Sequence, residues 1–215
     1  MTLAARIADG IAAMRLDMPA DACARLVAHL DLIAKWNRVH NLTAVREPEQ
    51  MVVLHVLDSL SVLPDVGEAA SVLDVGSGAG LPGVPIAIAR PKSRVTLLDS
   101  SRKKCAFLEQ AKIDIALANV QVVCARVEQW RPDERFEIIV SRAFSDLADF
   151  VAQARHLLAP GGRLIAMKGV YPKEELAALD PAFRVREVAA LHVPGLDAAR
   201  HVVVLERATS SGAIP

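Results

Sequence analysis

Val72-Leu73-Asp74-Val75-Gly76-Ser77-Gly78-Ala79-Gly80-Leu81-Pro82-Gly83 is the stretch whose reading decides the fold. A short apolar strand signal runs directly into glycines, and the glycines run into an apolar helical pattern over residues 84–89. The spacing predicts a strand, a tight turn and a helix start. Glycines at such a turn permit positive φ and remove the side chains that would hold a ligand away from the backbone. Free N–H groups at the helix start are expected to form an electropositive rim, and Pro82 suits the first helical turn because its missing N–H has no partner there.

The run answers to two motifs. Gly78-x-Gly80-x-x-Gly83 satisfies the dinucleotide-binding pattern, whereas Asp74-x-Gly76-x-Gly78-x-Gly80 reads as the turn of S-adenosylmethionine-dependent methyltransferases. A plainer alternative is that the glycines only make a tight strand-to-helix connection.

Downstream, strand signals at 94–99, 120–124, 136–141 and 163–167 alternate with helical patterns, notably at 102–113 and 146–158. Such alternation implies a mostly parallel, doubly wound sheet, with ligands at the carboxyl ends of its strands. Past Lys168 a short helix near 173–179 precedes strand-like runs at 183–193 and 200–206, expected to form an antiparallel pair closing the sheet. Upstream, residues 2–64 read as helical: Leu26, Leu30 and Ile33 recur at helical spacing behind Asp21 as a cap, and another helix starts at Pro48. Residues 36–43 between them read as a polar link pinned by Trp36.

Composition bounds the answer. The chain has 215 residues, of which 53% are hydrophobic, enough for one α/β domain with an appended segment. Lys plus Arg and Asp plus Glu both number 25, so whole-chain charge supplies no argument for nucleic acid, and any such contact must rest on a local basic patch. Cys23, Cys105 and Cys124 are too scattered for a disulfide framework, and the last two read as small core residues. The six histidines show no metal-ligand spacing, and no metal is expected. Neither a signal peptide nor an apolar run of the ~18 residues needed to span a bilayer is present, so a cytoplasmic protein without membrane contact is expected. Nothing in the sequence indicates an oligomer.

Chemistry is expected at the strand ends. Asp99 closes the second strand, where a carboxylate can accept hydrogen bonds from ribose hydroxyls; alternatively it, or Ser100, caps the next helix. Arg126, Val127 and Glu128 end the third strand, where an acid can meet an adenine amino group. Ser141-Arg142-Ala143-Phe144 ends the fourth, in the position that faces the reacting methyl group in α/β methyltransferases, so Arg142 is either functional or the ion-pair partner of a nearby acid. Lys103 and Lys104 stand at a helix N-terminus, where cations oppose the dipole. Lys168-Gly169 follows the fifth strand and Arg200-His201 opens the last, so all could rim one pocket. His55 and Asp58, three apart on a helix, are expected to form a local pair or to pack polar edges. A nucleophilic cysteine in a Pro-Cys context, and the Asn- or Asp-Pro-Pro-Tyr run of amino-group methylases, are both absent.

At these residues the sequence resembles the bacterial GidB (RsmG) family of 16S ribosomal RNA guanine-N7 methyltransferases. The resemblance is carried by Trp36-Asn with Asn41-Leu-Thr43, His55-x-x-Asp-Ser-Leu60, Asp74 to Gly83, Leu98-Asp-Ser100 with Lys103-Lys104, Arg126-Val-Glu128, Ser141-Arg-Ala-Phe144, Lys168-Gly169 and Arg200-His201. It implies a Rossmann-like class I methyltransferase sheet, mostly parallel with a C-terminal antiparallel strand, in residues 67–207. A helical segment, 1–66, would precede the sheet, and a disordered tail, 208–215, would follow. The implied cofactor is S-adenosyl-L-methionine, held by Asp74, Gly76, Ser77, Gly78, Gly80, Leu81, Asp99, Ser100, Val127, Glu128 and Arg142. Arg126, Lys168, Arg200 and His201 are then candidate contacts to the RNA or the target guanine, and the partner is 16S ribosomal RNA or the small ribosomal subunit. No general base is expected, because guanine N7 is an unprotonated lone pair. Two other readings remain: a nicotinamide-dependent oxidoreductase, and a non-catalytic RNA-binding protein that keeps the cofactor fold.

Overall fold

The computed structural model of the chain describes residues 1–144 and 146–208; the expected disordered tail lies almost wholly outside them. Helices come first: α1 (Leu3–Ala13), α2 (Ala22–His40), α3 (Pro48–Met51), a π-helical segment (Val52–Leu57), α4 (Asp58–Leu60) and α5 (Leu63–Val66). Then follow β1 (Ser71–Val75), α6 (Gly83–Ala89), β2 (Arg94–Asp99), α7 (Arg102–Asp114), β3 (Val120–Cys124), β4 (Phe136–Ser141) and α8 (Leu147–Ala154). A 3₁₀ turn (Arg155–Leu157), β5 (Leu158–Lys168), α9 (Lys173–Ala177), β6 (Phe183–Ala190) and β7 (His201–Arg207) complete the chain.

The seven strands form one sheet in the order β3-β2-β1-β4-β5-β7-β6. Strands β1 to β5 pair in parallel, and β7 inserts antiparallel between β5 and β6. Central strands buried on both faces need continuous apolar runs, and β1 is buried at every position. Alternate residues divide between two cores: Val72, Val95, Leu97, Ile138 and Val140 face one, while Leu73, Leu98 and Ile139 face the other. The first core also contains Ile7, Leu26, Leu30 and Ile33, so α1 and α2 bury their apolar stripes on the same face as α6 and α7. Phe150 and Val151 of α8 fill the other. Strand order reverses between β1 and β4, and a crevice opens there at the carboxyl ends.

Several local expectations need correction. Helix α2 runs through Trp36 to His40, so the link is shorter than residues 36–43; it begins where Asn41 takes a left-handed φ of 48°, which Asn tolerates. Trp36 packs edge-on against Phe107 from within the helix. Asp21 occupies the N-cap position of α2, but its side chain accepts no helix amide, and its carboxylate lies 3.8 Å from Arg25 instead. The helix from Pro48 is not uniform: in its π segment the Asp58 N–H reaches Val53 O. Cys105 is buried as expected, but Cys124 is exposed, because it ends β3 at the sheet edge.

Candidate active site

The turn after β1 is held from beneath. Gly76 and Ser77 donate their N–H groups to Leu98 O at 2.8 and 3.1 Å, Gly80 and Leu81 donate theirs to Ser77 O, and Gly78 donates to Asp99 Oδ2 at 2.9 Å. The Gly83 N–H at the start of α6 donates to Asp74 Oδ2 at 3.0 Å. The electropositive rim expected there therefore does not form; these amides are engaged within the protein. Pro82 is the N-cap residue of α6, beside its first turn, and its carbonyl accepts the Ile86 N–H at 3.1 Å. Asp74 is fully buried, and burial pushes its carboxyl up to about 7. Behind the turn His29, also fully buried, meets Ala79 O at 2.9 Å through Nε2; burial lowers its imidazole to about 4. Glycine is required where backbones close up: a Cβ on Gly76, at φ 74°, would stand 2.7 Å from the Ala143 Cβ, and one on Gly83 would enter Leu97.

Three cavities follow one another along the strand ends. The first, about 520 Å³, is lined by Gly76, Asp99, Ser100, Arg126, Val127 and Glu128, with Lys104 at its side. The second, about 180 Å³, is lined by Leu42, Thr43, Gly76, Ser77, Gly78 and Leu81, and shares Gly76 and Ala143 with the first. The third, about 410 Å³, is lined by His55, Asp58, Met167, Lys168, Gly169 and Arg200. Arg142 borders both the second and the third.

Asp99 lines the first cavity, and both of its carboxylate oxygens are engaged within the protein. Its Oδ1 accepts the Ser101 N–H at 2.9 Å ahead of α7, its Oδ2 takes Gly78, and Lys104 stands 3.6 Å away. Lys103 instead donates to His40 O at the C-terminus of α2, at 2.7 Å. That contact offsets its unfavourable place at a helix start. Arg126 and Glu128 pair at 3.7 Å beside the first cavity, so Arg126 stands apart from the other basic candidates. Gly80 is packed under α6 and α7 and lies behind the turn.

Around the third cavity the cations are tied to acids. Arg142 donates to Leu54 O at 3.0 Å and to Asp58 Oδ2 at 3.1 Å, and Arg200 Nε donates to Asp58 Oδ1 at 2.9 Å. Lys168 donates to Phe144 O and, at 2.7 Å, to Glu175, whose carboxylate also accepts the Leu147 N–H. His201 contacts Gly169 O at 3.3 Å. The local pair expected between His55 and Asp58 is not made: His55 Nε2 meets Thr43 Oγ1 at 3.0 Å, and Asp58 serves the two arginines. Burial lowers the His55 imidazole below its usual value, and nearby Arg142 acts in the same direction. Leu42 and Thr43 reach the second cavity because Asn37 Oδ1 accepts the Thr43 N–H at 3.0 Å. Asp58, Thr43 and Glu175 are site residues that sequence reasoning missed. An acid spaced with Leu54, Leu57 and Leu60 on a mostly apolar helix is the available signal for Asp58, since such a group needs a cation from elsewhere.

The strand order, the glycine turn after β1 and the acid ending β2 define a class I S-adenosylmethionine-dependent methyltransferase. Solved structures agree on the fold: the glycopeptide N-methyltransferase MtfA is 16% identical, covers 75% of this chain and 100% of its own, and gives a TM-score of 0.62. The N-methyltransferase NodS from Bradyrhizobium japonicum, solved with S-adenosyl-L-homocysteine, is 15% identical over 82% of this chain and 100% of its own, with a TM-score of 0.57. The chain belongs to the GidB family, rRNA small subunit methyltransferase G, whose profile matches residues 22–203. The Ribosomal RNA small subunit methyltransferase G of Nitrosospira multiformis is 56% identical over 215 aligned residues, covering 97% of this chain and 99% of that relative. The oxidoreductase alternative is thereby set aside. No helix among the described residues is long and apolar enough to cross a membrane.

Proposed function

We propose that this protein transfers the methyl group of S-adenosyl-L-methionine to N7 of a guanine in small-subunit ribosomal RNA. The observation that carries the reading is the continuity of the three cavities through Gly76, Ala143 and Arg142, which runs a donor site into an acceptor site. The first cavity suits an adenosine: Asp99 offers acceptors to ribose hydroxyls, Val127 an apolar wall and Glu128 a carboxylate for an amino group. The second, beside Gly76, Ser77, Gly78 and Leu81, suits the methionine end. S-adenosylmethionine held by these residues would supply a sulfonium methyl for transfer.

The protein's own contribution is placement. Guanine N7 attacks with an existing lone pair, so no residue needs to remove a proton, and alignment of the two reacting atoms is the main lever. The guanine becomes cationic as it is methylated. A pocket of unpaired arginines would resist that change, but Asp58 offsets Arg142 and Arg200, and Glu175 offsets Lys168. Lys168, Arg200 and His201 then serve as contacts to the RNA, while Arg126 serves the cofactor side. A base drawn into the third cavity must leave its stack. The relatives' substrate supports a cytoplasmic reaction on 16S ribosomal RNA or on the small subunit, with neither a metal nor a second protomer required by the geometry.

Incubation with methyl-labelled cofactor and small-subunit RNA that lacks the modification tests the reading. Label in the RNA, at one guanine, is expected. Label confined to protein, or to other RNAs, would overturn it.

A further inference from the structure

Immediately after Lys168 and Gly169, which line the third cavity, Val170 and Tyr171 stand 76% and 54% exposed. Tyr171 is the single tyrosine of the chain, and neither it nor Val170 joins the two hydrophobic cores. Its ring meets that of His201 at 84°, with centroids 5.8 Å apart. A perpendicular pair braces a ring by its edge or one face and leaves another face open. The brace is anchored in the sheet: His201 pairs with Lys168 in the β5–β7 register, its ring contacts Gly169 O at 3.3 Å, and Tyr171 O accepts the Lys173 N–H at 3.0 Å. An apolar step held open to water thus sits at the mouth of the acceptor cavity, among Lys168, Lys173, Arg200 and His201.

We propose that Tyr171, braced by His201 and extended by Val170, is a stacking platform for the unpaired RNA base next to the methylated guanine. This inference rests on the functional reading above. Moving a guanine out of its stack uncovers a face of its neighbour, and an aromatic ring beside the cavity covers that face again. Exposed Lys173, with the guanidinium of Arg200 that stays partly solvated beside Asp58, matches the phosphates flanking such a base, whereas an apolar protein partner would gain nothing from them.

Steady-state methylation of small-subunit RNA by Tyr171→Ala and Tyr171→Phe proteins, with S-adenosylhomocysteine affinity measured in parallel, tests the platform. Tyr171→Ala is expected to raise KM for RNA about ten-fold, as the loss of one stacked base implies. Its kcat and cofactor affinity should stay within about two-fold, and Tyr171→Phe should behave as wild type. RNAs made abasic at the 5′ or the 3′ neighbour of the target should then separate base stacking from other contacts. One of the two should raise the wild-type KM by the same factor and leave Tyr171→Ala indifferent. An unchanged KM for Tyr171→Ala overturns the platform, as does a loss additive with both abasic RNAs, which would assign the face to a protein partner or to phosphate. Wild-type protein that methylates no guanine overturns the functional reading and this inference with it. Wild-type activity with an indifferent Tyr171→Ala overturns this inference alone.

Discussion

Arg142 donates to Asp58 Oδ2 at 3.1 Å, so the turn after β4 is tied to a helix near the start of the chain. The other oxygen of the same carboxylate holds Arg200, just before β7, at 2.9 Å. The π segment contributes to this bridge, because the Asp58 N–H bonds Val53 O and Leu54 O receives Arg142. Asp58 is only 2% exposed, and without its charge two guanidinium groups would face each other across the acceptor cavity.

Asp58→Asn keeps the size of the side chain and removes that charge. Methyl transfer to RNA is expected to fall at least ten-fold, with S-adenosylhomocysteine affinity changed by no more than about three-fold. Stability should drop by about 1–3 kcal/mol, less than for a fully buried pair because both arginines are partly solvated. Urea unfolding, calorimetry and labelled-methyl transfer measure the three effects. A loss of cofactor affinity as large as the loss of rate would move Asp58 to the donor side.

Asp99→Asn replaces one acceptor oxygen with an NH2 group while Gly78 or Ser101 can still be served. A weakening of S-adenosylhomocysteine binding by about 10- to 100-fold is expected, the scale of one or two hydrogen bonds to a charged group. Calorimetry at constant pH reads this directly, and unchanged affinity would place the ribose elsewhere.

His29 and Asp74 make opposite contributions to pH-dependent stability. Folding lowers the His29 imidazole from 6.5 to about 4, so the unfolded chain binds more protons between those values and stability rises with pH across them. Folding raises the Asp74 carboxyl from 3.8 to about 7, so the folded chain holds the extra proton and stability falls as pH rises from about 4 to 7. The histidine contribution is roughly 3 kcal/mol and the carboxyl's roughly 4 kcal/mol, and in the wild type they largely cancel between pH 4 and 6.5. In Asp74→Asn the opposing carboxyl is gone while His29, and His55 with its lowered imidazole, still act in one direction, so urea midpoints should climb steeply from pH 4.5 to 6.5. A flat profile in that variant would show that His29 titrates normally.

Arg200→Ala and Arg126→Ala separate the two halves of the site. The first is expected to raise KM for RNA several-fold and leave cofactor affinity nearly unchanged, because Arg200 lines only the third cavity. The second, beside Glu128 on the first cavity, should weaken cofactor binding more than RNA binding. Equal losses of both affinities in either variant would contradict that division.

What was legible in the sequence was local. The β1–turn–α6 unit, the acid ending β2 and Ser141-Arg142 ending β4 each lie in a contiguous run whose periodicity and turn residues predict strand, turn and helix. Asp58 was not legible in the same way, because its partners lie 84 and 142 residues away and only the folded sheet brings them together. Nor was the π segment, since the residues of Val52–Leu57 favour an ordinary helix equally well. The glycine turn reads as open because nothing in its own twelve residues reveals that Leu98 and Asp99, on the next strand, engage its amides. Cys124 was assigned to the core from residue type, and its position on the sheet edge decides otherwise.

The most direct test of the central claim is nucleoside analysis of the product. Small-subunit RNA methylated in vitro by the wild-type protein should, after complete digestion, yield its label as 7-methylguanosine, in an amount approaching one methyl per RNA. Label recovered on an exocyclic amine, a ring carbon or a ribose would contradict an acceptor site that works by alignment without a base or a nucleophile.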